Sequence, residues 1–353
     1  MTRPPPFLDH HPQNVGQYMR TSSLTLLQCP ACRRGPIEAA GSDPGDEVEE
    51  SLICMACGQR FPVREGIPIL LVGDLMAHPT SAAFAQAPGE IRQKVLQREW
   101  HDSARARDPR YKAAAFADPG LFAFTMYYQL RVARPLLSGV EYPLIANICA
   151  GNGFELRFLA QLGRRIIVTD ISHASLLEAL RVGRELGVDV EAYCCDAENL
   201  PFRDGVFDLV VAHHSLHHLV DKWRGLGEMV RVGRWRVAFF EPASGPMRWL
   251  VRHLGLKPAV EESGNLVHEY GRRETAAFAA THNCRLVHFA KSLITGPPVE
   301  PPVYRLLDRS GLTRLIKGAV RGLNAMLGWA IGTKCEVLLE RAVTRPRSAA
   351  APR

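Results

Sequence analysis

The sequence predicts an α/β protein in two parts: a small four-cysteine module, then a mostly parallel sheet with helices on both faces and one late antiparallel strand. Two observations carry this. Five short apolar stretches, LIANICA, RRIIVTD, VEAYCCD, FDLVVAHH and RVAFFEP, are strand candidates spaced by helical or loop segments. Short buried strands alternating with helices mean a parallel sheet covered on both sides. Upstream, two Cys-x2-Cys pairs crowd one segment: Cys29 with Cys32, and Cys54 with Cys57.

The chain has 353 residues and is 46% hydrophobic, which suits about two folded domains and excludes wholesale disorder, collagen and coiled coils. The net charge of +7 permits acidic partners without choosing among them. Arg far outnumbers Lys, which we read as compositional bias. No run approaches the roughly 20 apolar residues that cross a bilayer. The opening MTRPPPFLDHHPQ lacks the apolar core of a signal peptide. Cys149, Cys194, Cys195, Cys284 and Cys335 lie in apolar surroundings, and an odd cysteine total fits a reducing compartment. The expected location is cytoplasmic.

In chain order, residues 1–22 read as a disordered Pro-rich tail and 23–72 as a compact unit of short strands around turns. Residues 73–108 read as linker and helix, with helical periodicity from Ile91 to about Leu137. The main domain is expected over 109–342. Within it, 244–331 is less regular, and KCEVLLERA supplies the late strand. Residues 343–353 read as a second disordered tail.

Tetrahedral zinc takes four soft ligands at about 2.3 Å, and two tight turns supply thiolates in pairs. Gly58 permits the second turn. The 21-residue gap between the pairs is slightly long, and the acidic Gly/Pro-containing loop at 41–50 accounts for the excess. With four thiolates no position stays open for a reactive water, so Cys29, Cys32, Cys54 and Cys57 predict structural Zn2+. Together with the closing Gly-Ile-Pro-Ile-Leu-Leu, CPACRR…ICMACGQRFPVREGIPILL resembles the small bacterial zinc-ribbon family related to the activator subunit of certain tRNA and protein methyltransferases. That resemblance covers 27–72. It implies an association with methyltransferases and a protein partner as one use of the ribbon.

In the second part, LIANICAGNGFELRFLAQLG puts a strand before a small-residue turn and a helix after it. Such a turn admits a ligand close to the backbone. The next strand ends in Asp170, placed to bind ribose hydroxyls, and the third ends in Cys195-Asp196-Ala197, where a carboxylate can accept from an adenine amino group. A nicotinamide-binding domain would need a third glycine where Leu156 stands. This ordered set, followed by LPFRDGVFDLVVAHHSLHHLVD, resembles the class I S-adenosylmethionine-dependent methyltransferases, in particular their large bacterial small-molecule branch. The resemblance is good over about 110–245. It implies a Rossmann-like sheet and S-adenosyl-L-methionine as cofactor. The cofactor-binding set it implies is Asn147, Cys149, Gly151, Gly153, Asp170, Ile171, Asp196, Ala197 and His213. Gly151 and Gly153 would line the methionine part, Asp170 the ribose, Asp196 and Ala197 the adenine, and His213 the sulfonium. Asn147 stands where the family has Asp, and Cys149 where it has a first Gly. Losing that charge costs about 1 kcal/mol of hydrogen bonding, and Cys149 crowds the turn.

If the acceptor is a hydroxyl, a base helps. His213, His214 and Glu241, at the ends of the fourth and fifth strands, are the candidates. The spacing of His214 and His218 also allows a metal, but packing of helix on sheet is the better reading. Tyr127 and Tyr128 sit on the helix expected to cap the cofactor, and 244–331 is expected to form most of the acceptor pocket. There LIKGAVRGLNAMLGWAIG is an amphipathic helix that covers the pocket or touches a membrane surface. The leading expectation is a methyltransferase for a small-molecule or lipid- or glycan-linked acceptor. An RNA methyltransferase is a second reading. Against nucleic acid stand the acidic ribbon residues Glu38, Asp43, Asp46, Glu47, Glu49 and Glu50, and the lack of a basic stripe interleaved with aromatics. A third reading is a non-catalytic scaffold with a degenerate first loop that binds a protein partner.

Overall fold

A computed structural model describes residues 19–40, 50–105, 120–255, 260, 265–293, 306–308 and 311–342. The segments 1–18, 41–49 and 343–353 lie outside the described residues, and with them most of both tails and of the acidic loop.

A 3-10 turn, Thr21–Leu26, leads into the first module. Its strands β1 (Ile37–Ala40), β2 (Glu50–Cys54), β3 (Arg60–Arg64) and β4 (Ile67–Pro68) form an antiparallel meander in chain order. Leu27, Ile37, Leu52 and Phe61 are buried, and they share one apolar cluster with Phe202, Phe207 and Val210 of the main domain. So small a unit cannot bury enough surface alone, and it rests on its neighbour. Backbone bonds weld the two: Gln28 N–H donates to Pro201 O (2.9 Å), Arg203 N–H to Leu26 O (2.9 Å), and Leu70 N–H to Cys194 O (2.7 Å).

The linker begins with a 3-10 turn, Gly73–Met76, followed by a one-turn helix, Ala82–Gln86, capped by Ser81. Helix α1 (Gly89–Trp100) continues into a π turn, His101–Arg105. Helices α2 (Leu121–Met126) and α3 (Tyr128–Leu137) follow. The expected helical stretch from Ile91 to Leu137 is therefore divided, and 106–119 lies outside the described residues.

The main sheet contains β5 (Leu144–Asn147), β6 (Arg165–Asp170), β7 (Asp189–Cys194), β8 (Phe207–His213), β9 (Gly233–Pro242), β10 (Cys284–Ser292) and β11 (Lys334–Arg341), in the order β10-β11-β9-β8-β5-β6-β7. Strands β5 to β9 run parallel, and β11 is antiparallel to both β9 and β10, so a single described strand of this sheet is reversed. Every residue of β5 and β8 is buried. Each such Val, Leu, Ile or Phe contributes about 1.5–3 kcal/mol. The sheet is flanked by α4 (Leu156–Leu159), α5 (His173–Glu185), α6 (Lys222–Val232), α7 (Pro246–His253), α8 (Arg272–Thr281) and α9 (Thr313–Ile331).

Two elements differ from expectation. Strand β10 has no counterpart among the five apolar stretches: it is a half-exposed edge strand, and a register shift between Leu286 and His288 breaks its alternation. The helix expected across FELRFLAQLG is one α turn, because the chain must reach β6 at Arg165 within a few residues.

Glu336 on β11 is buried, with the Ser292 hydroxyl donating to its carboxylate at 2.6 Å. Burial outweighs that bond and pushes the carboxyl from 4.5 up to about 7. The folded chain then holds a proton that the unfolded chain has lost between those values. Stability therefore falls as pH rises from about 4.5 to 7 and is flat above. Glu336→Gln should remove this slope, raising stability at pH 8 by up to about 3 kcal/mol while changing little at pH 4. Urea unfolding of both proteins at the two pH values checks it.

Candidate functional site

Strands β5 to β8 end together, and their loops enclose a cavity of about 180 Å³. The turn after β5 holds Cys149 at φ 51°, Gly151 at 51° and Gly153 at 75°. A left-handed Cys is strained by about 1 kcal/mol or more, which the buried turn holds in place. Cys149 and Gly151 line the cavity, but Gly153 does not. A Cβ on Gly153 would sit 3.0 Å from the Ala179 Cα of α5, so that glycine lets the turn pack on the helix. Asn147 is also outside the lining; its amide donates to Glu155 Oε2 at 3.3 Å.

Asp170 at the tip of β6 lines the cavity, beside Ile171. It accepts from Gly151 N–H and from Ser172 N–H, each at 2.9 Å, tying two loops together. Burial raises its carboxyl, against His101 and those two N–H groups. Asp196 and Ala197 line the neighbouring wall. Asp196 accepts from Glu198 N–H at 2.9 Å and from Lys94 Nζ at 2.8 Å. Lys94, nearly buried, also lies 3.0 Å from Glu198. Burial opposes its charge, but the pull of Asp196 and Glu198 wins and raises its pKa. Lys94, Gln97 and His101 all reach the cavity from α1 and its π turn, so the linker helix forms one wall. Sequence reasoning missed these three. The available signal was their i, i+3, i+7 spacing, which puts them on one helix face.

His213 ends β8, and its Nδ1 lies 2.8 Å from Glu155 Oε1. Its Nε2 is buried without a hydrogen-bond partner, in a ring that lines the cavity. Glu155, also missed, is a buried carboxylate joining Asn147 to His213. His214 lines the cavity too, with its Nδ1 2.9 Å from Lys334 Nζ. Burial, then Lys334, pushes this imidazole well below its ordinary value, so it is neutral. Tyr127 faces the cavity with its hydroxyl unpartnered, whereas Tyr128 packs edge-to-face on Phe124.

Glu241 does not face this cleft. It is fully buried on β9 and absent from the lining. One oxygen accepts from Ser215 and Leu216 N–H (2.8 and 2.7 Å), and the other lies 2.5 Å from His217 Nδ1. Burial alone would raise this carboxyl, but His217 and the two N–H groups hold it below the usual range. Its oxygens are committed to pinning the turn after β8, which removes it from the candidate bases. A metal at the histidines gains no support: among the described residues, the group that could hold an ion is Cys29, Cys32, Cys54 and Cys57.

Those four sulfurs lie within 4.8 Å of one another, with Cys29–Cys57 at 3.8 Å and Cys32–Cys54 at 3.7 Å. A tetrahedron with bonds of about 2.3 Å has edges of about 3.8 Å, so the donor set fits zinc. The knuckles also brace the cavity wall. Asn199 Nδ2 donates to Pro30 O at 3.0 Å, and Arg33 bonds Asn199 and, at 2.9 Å, Glu228.

Residues 146–237 match the family described as methyltransferase domain, and residues 23–66 match the Trm112p-like protein family. A demethylmenaquinone methyltransferase of Corynebacterium urealyticum is 39% identical over 88 residues, 25% of this chain and 36% of that protein. A ubiquinone/menaquinone biosynthesis C-methyltransferase of Paraburkholderia xenovorans is 33% identical over 114 residues, 30% of this chain and 46% of that one. The chain thus spans half or less of the length of these relatives. The crystal structure of magnesium protoporphyrin IX methyltransferase from Synechocystis is 12% identical with a TM-score of 0.47, covering 71% of this chain and 100% of that one.

Proposed function

We propose that this chain, which joins a class I methyltransferase domain to a zinc ribbon of the methyltransferase-activator kind, transfers a methyl group from S-adenosylmethionine to a small-molecule or lipid- or glycan-linked acceptor. The observation that carries the reading is the convergence of Gly151, Asp170, Asp196 and His213 on one cavity. Its wall bears Glu155, Asp170, Asp196 and Glu198 against the ammonium of Lys94. An excess of carboxylates suits a ligand that carries positive charge. The names of the relatives support a small-molecule acceptor.

In this reading Asp170 and Ile171 hold the ribose, Asp196 and Ala197 the adenine, and the Cys149–Gly151 backbone the methionine part. Asn147 and Gly153 act indirectly, by shaping the turn. Glu155 restores next to Asn147 the negative charge that Asn147 lacks, as partner for the cofactor's ammonium. The bound cofactor supplies an electrophilic methyl group on a sulfonium. The protein's task is to align the acceptor, an effect worth up to about 7–11 kcal/mol in well-oriented systems. Glu155 fixes the His213 ring through Nδ1 and leaves Nε2 to take the acceptor's proton. His214, neutral and held by Lys334, is the second base candidate. Zinc in the ribbon is structural, since four thiolates leave no open position. The ribbon is of the kind that serves a partner methyltransferase, and here its partner is the chain's own domain.

No helix among the described residues is long and apolar enough to cross a membrane. Separately, the odd number of cysteines fits a reducing compartment, and on that ground we place the protein in the cytoplasm. Incubating the chain with methyl-labelled S-adenosylmethionine and cell extract, then separating organic-soluble, aqueous small-molecule and RNA fractions, tests the proposal. Label in either of the first two supports it. Label confined to RNA selects the RNA reading, and none in any fraction leaves the scaffold.

A further inference from the structure

We propose that α7 and α9 form a docking surface for an anionic lipid bilayer. The inner face of α9 is used: Ile316 and Val320 pack on Phe124 and Tyr128, and Asn324 accepts from Leu293 N–H at 2.7 Å. The opposite face carries Leu315 (71% exposed), Met326 (64%) and Trp329 (76%), with Gly318, Ala319, Gly322 and Ala325 between them. No polar side chain interrupts it. A surface helix in water turns polar residues outward; this one turns apolar residues outward and keeps Arg314, Lys317 and Arg321 on one flank. Helix α7 touches α9 and adds exposed Trp249 and Leu250, with exposed Leu254 at its end.

Charge chooses the occupant. Neither helix contains an Asp or Glu; Arg248 and Arg252 of α7 pair with Glu269, so the basic flank is that of α9, with Arg314, Lys317 and Arg321. An apolar face with exposed tryptophans and a basic flank is the pattern of a helix lying in the plane of an anionic membrane interface. The Trp329 indole N–H donates to Met326 O at 3.1 Å, so the ring enters an apolar medium without an orphan donor.

The surface connects to the cavity. Phe124 and Tyr128 pack on α9, while Tyr127 between them lines the cavity. Resting on the methyltransferase reading, this geometry makes a bilayer-resident lipid the acceptor class. The docking surface itself does not depend on that reading.

The test uses the full zinc-loaded chain without cofactor, floated with phosphatidylcholine vesicles that contain or lack phosphatidylglycerol. We expect flotation with the phosphatidylglycerol vesicles, a blue shift of tryptophan emission, and weakening by salt. Leu315→Ser/Met326→Ser/Trp329→Ser should weaken binding about tenfold or more, with melting temperature and S-adenosylhomocysteine binding unchanged. No flotation, or a variant that floats like the parent, overturns the proposal. So does equal binding to vesicles without phosphatidylglycerol, or a dimer in solution that the variant turns monomeric, since a second copy would then cover the face. All these outcomes are independent of whether methyl transfer is found.

Discussion

Chelating the ribbon metal, or replacing Cys54 by Ser, should unfold the ribbon and destabilise the whole chain. Structural zinc in small modules contributes apparent free energies of about 10–16 kcal/mol, and such modules unfold without it. Here the ribbon does not melt alone. Leu27, Ile37, Leu52 and Phe61 complete the apolar cluster that holds Phe202 and Phe207, so its loss bares the main domain's own core. Its knuckles brace Asn199, three residues from Asp196. A net loss of about 5 kcal/mol would lower the melting temperature by roughly 10–20 °C, and cofactor binding should fall with it. Calorimetry with a zinc-responsive dye reads both. An unchanged melt after complete metal release would show the ribbon to be a thiol module without a metal role.

His213→Asn should lower turnover by about 10²–10⁴-fold, the usual contribution of general acid–base catalysis. Added imidazole should restore part of the rate in His213→Ala, a readout that a packing role would not move. Glu155→Gln keeps the shape of the network but not its charge. It should reduce both turnover and cofactor affinity, the latter by about tenfold, the difference between a charged and a neutral hydrogen bond. If His213→Asn keeps full turnover, proton removal belongs to His214, to solvent or to the acceptor itself.

These expectations rest on groups that differed in how legible they were. The parallel strands could be read because burial on both faces demands uninterrupted apolar runs, as in LIANICA and FDLVVAHH. The cysteine knuckles were legible because thiolate pairs at that spacing have few other uses. Strand β10 was not, since an exposed edge with a bulge needs no strong pattern. Lys94 could not be tied to Asp196 from sequence, because the pairing joins groups 102 positions apart and depends on where α1 docks. Glu155 is part of no recognised pattern, and only its contacts with Asn147 and His213 single it out. Glu241 shows the opposite error. An acidic residue at a strand end suggested chemistry, but both its oxygens are spent on the turn that follows His214.

Titrating the folded, zinc-loaded chain with S-adenosylhomocysteine in a calorimeter asks whether the carboxyl edge between Cys149 and His213 holds S-adenosylmethionine. One site per chain is predicted, with affinity reduced about tenfold or more in Asp170→Asn. No heat and no thermal shift from a chain shown to be folded and metal-loaded would mean that this edge does not hold the cofactor.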